Sequence, residues 1–139
     1  MAADFVGIRK AIAANLQNAL GKTIQVSPVM LASPTPPAAH VIPGPIEYHG
    51  ALSDGLETVE MTVQVFVSRT TDIGAQTTLD EYIASDGPSS VKAAIESDSR
   101  LGGKCADLIV TSSSGYRVYK SPDGSGEVIG AEWLVKVYV

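Results

Sequence analysis

The chain has 139 residues, of which 45% are hydrophobic and 18% charged, which excludes a disordered polypeptide and fits one domain with a single core. Ten Lys and Arg against fifteen Asp and Glu give a net charge of −5, which argues against a protein that gains its affinity by neutralising phosphates. Cys105 is the sole cysteine, so neither an intrachain disulfide nor a cysteine-based zinc site can substitute for packing.

Met1-Ala2-Ala3-Asp4 places an acid where a secretion signal carries positive charge, and no apolar run reaches eighteen residues. The expectation is a soluble product made in the cytoplasm, without membrane contact. Phe5, Ile8, Ile12, Leu16 and Leu20 recur at three- and four-residue steps, with Arg9, Lys10, Asn15 and Gln17 mostly elsewhere around the turn. That spacing predicts an amphipathic helix over 5–20. Asp4 is placed to cap its start, and Gly21 to end it in the left-handed conformation.

Residues 23–27 are a short β candidate. Pro28, Pro34, Pro36, Pro37, Pro43 and Pro45 then put six of the eight prolines within eighteen residues. Each removes a ladder donor and fixes φ, so the stretch reads as an extended arm or loop over about 28–57, with at most a short edge strand at 39–42. Its apolar residues Val29, Met30, Leu31, Val41, Ile42 and Ile46 favour packing against something. Val59, Met61, Val63, Val65 and Val67 alternate with Glu60, Thr62, Gln64, Phe66 and Ser68, which predicts a long strand with one buried face. Apolar positions over 75–97, broken at Gly87-Pro88, predict two short helices joined by a kink. Three strands follow, over about 105–112, 116–120 and 127–139, the last two joined as a hairpin by the turn residues 121–126. The order fits a single α+β domain over 1–139: one antiparallel or mixed sheet with helices packed on one face.

No constellation reads as an assembled active site. His40, Glu47 and His49 lie close in sequence, but the spacing is not that of a metal motif and the histidines read as loop residues. Cys105 opens an alternating strand, where a small buried thiol fits better than a nucleophile. The runs 112–115 and 124–126 lack both a Walker lysine and a helix to open, so they are turns and not phosphate cradles. No catalytic residue, metal ligand or cofactor is expected. The charge layout is more telling. No Lys or Arg occurs between Lys22 and Arg69, whereas Glu47, Asp54, Glu57 and Glu60 fall in that interval. An ordinary solvated face is one account of this. The other is a surface that faces DNA without gripping it.

The layout as a whole resembles the tail terminator (tail completion) proteins of long-tailed bacteriophages. The likeness is carried by the order of parts: the opening helix ending Leu20-Gly21-Lys22, the proline-rich loop and the strand Val59 to Ser68. The turn 69–72, the helices containing 79–83 and 87–95, and a closing hairpin that ends on 132–139 complete it. The resemblance implies an α+β virion structural protein, located in the tail and neck, that carries out no reaction. Members form a ring, generally a hexamer, that caps the tail tube and joins it to the head connector. Expected partners are therefore further copies of this chain, the tail tube protein and a head–tail connector or stopper, with DNA passing through unbound.

Size is compatible with this. A compact domain of this length has a radius of gyration near 14 Å and a diameter of about 37 Å; four touching spheres leave a hole of about 15 Å, and six leave about 37 Å. Only the larger ring passes a duplex, and its contacts must be heterologous. Candidate channel-facing residues are Glu47, Asp54, Glu57 and Glu60. Candidate interface residues are Val29, Met30, Leu31, Pro36, Pro37 and Asp123. The alternatives are another neck component, a small enzyme using His40 or His49, and a module with an apolar ligand pocket between sheet and helices.

Overall fold

A computed structural model describes residues 5–21, 24–28, 37–47, 58–69, 73–103, 105–120 and 127–138. The elements run α1 (Phe5–Leu20), β1 (Gln25–Ser27), β2 (Ala38–Glu47), β3 (Thr58–Arg69), α2 (Ile73–Ile83), α3 (Val91–Ile95), β4 (Asp107–Ser113), β5 (Arg117–Lys120) and β6 (Glu127–Tyr138). Two 3₁₀ turns, Glu96–Asp98 and Leu101–Gly103, lie between α3 and β4.

The strands form one mixed sheet in the order β1-β2-β3-β6-β4. β1 and β2 are parallel, and the other pairs are antiparallel. β6 is the spine. β3 pairs along nearly all of one side of it. β5 and β4 divide the other side, β5 against 127–130 and β4 against 133–138. Antiparallel strands with one buried face need this alternation, and it is present: Val59, Met61, Val63 and Val65 of β3 and Ala131, Trp133, Val135 and Val137 of β6 are all sealed from solvent. Ile8, Ile12 and Leu16 of α1, Leu79 of α2, and Val91 and Ile95 of α3 join them in one cluster. Each large side chain fully buried there contributes about 2 kcal/mol. The fold is therefore a helical layer on one face of a mixed sheet, in agreement with the α+β expectation.

Four local expectations are corrected. Part of the proline segment is a ten-residue strand, longer than the edge strand expected at 39–42: β2 runs Ala38–Glu47 and pairs with β3 over its length, while 29–36 and 48–57 lie outside the described residues. It tolerates Pro43 and Pro45 because β1 covers only Ala38–His40, so beyond His40 the side of β2 away from β3 has no ladder among the described residues. The register also shifts between Pro43 and Ile46. Gly21 is not left-handed; its N–H donates to the Gln17 carbonyl at 2.9 Å, and glycine is needed because a Cβ would run into Gln17. Asn15, read as polar surface, is buried. Its Nδ2 donates to the Ile95 carbonyl at 3.0 Å and the Asp98 carbonyl at 3.3 Å, tying α1 to the end of α3 and to the 3₁₀ turn that follows it. Phe66, placed among outward polar residues, is buried on the outward face. Asp4 lies outside the described residues.

Candidate functional site

The helices occupy one sheet face, so the other is where chemistry or contact can be presented. Register sets its rows. Ala38, Phe66, Gly130 and Arg117 form the first, and His40, Gln64 and Glu132 the second. Ile42, Thr62, Leu134 and Ser112 form the third, and Glu60, Lys136 and Ile109 the fourth.

The second row, together with Tyr119 of β5, holds a connected polar network. His40 Nε2 lies 2.5 Å from Gln64 Oε1. Gln64 Nε2 donates to Glu132 Oε1 at 2.8 Å, and the Tyr119 hydroxyl donates to the same oxygen at 3.0 Å. The chain of groups crosses four strands and converges on one carboxylate, which accepts two hydrogen bonds. Phe66 sits at its centre, edge-on to His40 at 5.2 Å and to Tyr119 at 4.9 Å between ring centroids. Gly130 makes room for this, because a Cβ there would strike the Val65 carbonyl and crowd the Tyr119 ring. Burial first, and then the Glu132 carboxylate, push the Tyr119 hydroxyl far above its ordinary range. His40 is 3% exposed, so its ring is held inside the sheet and is not offered to a substrate. It is not the loop histidine expected from sequence.

The remaining rows are open. Ile109 is 46% exposed and Leu134 and Tyr138 40% each. Among these apolar groups Glu60 stands opposite Lys136 in the β3–β6 register, and the Lys136 ammonium lies 5.7 Å over the Tyr138 ring. The interval that lacks cations in sequence is thus met by a cation in space. Glu47 ends β2 opposite Thr58. Pro37 is exposed just before β2, and its carbonyl accepts from the Gln25 N–H at 3.2 Å. Asp54, Glu57, Val29, Met30, Leu31, Pro36, Asp123 and His49 lie outside the described residues.

Cys105 is buried, and its thiol donates to the Ser99 carbonyl at 3.4 Å. Burial and the nearby Asp107 and Asp98 raise its pKa, the opposite of what an activated nucleophile requires. Among the described residues no three His, Cys, Asp or Glu side chains gather to hold a metal ion, and no helix is long and apolar enough to cross a membrane. Sequence reasoning missed the Gln64–Glu132–Tyr119 network altogether. Its only advance signal was a glutamine and a glutamate at outward positions of two strands that prove to be neighbours. Compared with known proteins, the chain matches no family model and no curated sequence.

Proposed function

We propose that this protein is a structural component of a virion, a ring-forming tail terminator that caps the tail tube and joins it to the head connector while leaving a channel for DNA. The order of elements motivates the reading. The observation that carries it here is the half-covered sheet: every described helix packs on one face, and the other presents Ile109, Leu134 and Tyr138 to solvent around a Glu60–Lys136 pair. Exposed apolar side chains set in a polar surround suit contact with another protein more than catalysis. Of the candidate channel-facing residues, Glu47 and Glu60 lie among the described ones and Lys136 stands opposite Glu60, so this part of the candidate lining keeps an excess of a single negative charge. It would neither bind nor strongly repel a passing duplex.

Negative-stain imaging and sedimentation of the purified protein, alone and with tail tubes, test this directly. Annular particles with a central hole, or rings seated on tube ends, are expected. A monomer under both conditions overturns the proposal.

A further inference from the structure

A sheet that does not close ends on unpaired strands, here β1 and β4 at the two ends of the main strand order, and an uncovered edge is a template for another chain's strand. The edges here are handled differently. β1 is three residues long and is followed by Pro28, so it offers little to pair with. β4 is seven residues long and contains neither lysine nor proline, so the only usual deterrents within it are Asp107 and a register shift between Val110 and Ser112.

A further deterrent is supplied by side chains. Glu96, where α3 passes into the first 3₁₀ turn, accepts the Val110 N–H through Oε2 at 3.0 Å. Its other oxygen, Oε1, is held by Lys92 Nζ at 2.6 Å, one helical turn earlier. The Leu108 N–H donates to its neighbour Asp107 Oδ1 at 2.9 Å. Leu108 and Val110 are two residues apart, so their N–H groups point to the same side of the strand. They are the donors that an added strand would need, and both are already taken by carboxylates. A strand approaching this edge would have to displace Glu96 and would meet negative charge where its own carbonyls must accept.

We propose that Glu96, anchored by Lys92 and assisted by Asp107, locks the β4 edge against strand addition by a second copy of this chain. The inference goes beyond the ring reading and does not depend on it. If copies do form a ring, the lock directs them to other surfaces and keeps the sheets from joining edge to edge in open chains.

The test compares wild type with Glu96→Ala, Glu96→Gln, Lys92→Ala and Glu96→Ala/Asp107→Ala by sedimentation velocity over a concentration series and by amide hydrogen exchange. In Glu96→Ala the Val110 amide should exchange at least about tenfold faster at low concentration, the loss of one charge-assisted hydrogen bond. As concentration rises, particles larger than any formed by wild type should appear, and the double variant should form them at lower concentration. Glu96→Gln keeps an acceptor for the Val110 N–H and, although less stable, should keep the wild-type size distribution. Lys92→Ala leaves the carboxylate loose and should raise Val110 exchange without touching the core; it carries the test if the alanine variants at Glu96 unfold. The proposal is overturned if the double variant, folded by circular dichroism, matches the wild-type size distribution. It is equally overturned if Glu96→Gln associates as strongly as Glu96→Ala, or if Val110 exchange is unchanged in Lys92→Ala. A wild-type monomer would end the ring reading yet leave each of these comparisons intact.

Discussion

Three buried or half-buried side chains set the properties that single substitutions can read. Asn15 joins α1 to the end of α3 by two hydrogen bonds to carbonyls. Asn15→Ala leaves those acceptors in a largely dry site, so the unfolding free energy should fall by about 2 kcal/mol, measured as a lower urea midpoint at constant slope. Glu96 is under opposing influences: partial burial alone would raise its pKa, but the Lys92 hydrogen bond and charge and the Val110 N–H together hold it below its usual value. A carboxyl with a depressed folded pKa contributes stability that is complete above its unfolded value and is lost as pH falls through the folded one. The stability difference between wild type and Glu96→Gln should therefore be constant near neutral pH and shrink as pH drops below about 5. Cys105 should react with a neutral thiol reagent at least about tenfold more slowly in the native protein than in urea, since only the exposed thiolate is reactive. Equal rates would mean that the thiol is accessible in the native protein and is not held in the core.

Ser90 shows how a short element is made to hold. α3 has five residues, too few to persist by helix propensity. Ser90 Oγ accepts the Ala93 N–H at 3.1 Å as N-cap and donates to the Ala84 carbonyl at 2.6 Å, so one hydroxyl both starts α3 and ties it to the end of α2. Ser90→Ala should cost between about 1 and 2 kcal/mol, at the upper end for a cap because Ser90 is itself buried and one hydroxyl makes both bonds. A loss under about 0.5 kcal/mol in thermal or urea unfolding would contradict this. The elements also show what the chain makes legible. β3 and β6 were readable because each keeps one apolar face through a full run of alternation, and α1 because its stripe has helical spacing. β2 was not, because proline's cost depends on whether the neighbouring strand needs the missing N–H. β1 ends at Ser27, where the 23–27 candidate ends and Pro28 follows, but starts two residues later, at Gln25. Phe66 and His40 were misplaced for a related reason: period-two alternation says which residues share a face, not which part of that face is covered. The His40–Gln64–Glu132–Tyr119 network is built from contacts spanning 24 and 68 residues, so it could not be seen before the strand order was known.

At the level of the molecule, stability is divided unevenly over the sheet. The core lies between β3, β6 and the helices, where the largest fully buried side chains collect: Trp133, Met61, Leu79 and Ile95 among them. β6 is hydrogen-bonded on both sides, by β3 along one and by β5 and β4 along the other. No local opening can free its central amides without breaking the sheet. β1 and β5, by contrast, are three and four residues long, and each is paired on one side only among the described residues. Val118 of β5 is 56% exposed, so apart from the Tyr119 ring against Phe66 little apolar burial opposes its release. Native-state hydrogen exchange should accordingly divide the sheet. Central amides of β3 and β6 should exchange only through global unfolding, while those of β1 and β5 should open more cheaply by about 3 kcal/mol, a difference of roughly a hundredfold in rate. Uniform protection across all six strands would mean that the short strands are held by contacts beyond the ladder described here. In an assembled ring the same measurement becomes a map of the interface. The slow amides of β6 are already limited by unfolding, so added protection must appear in the fast segments that a neighbouring copy covers.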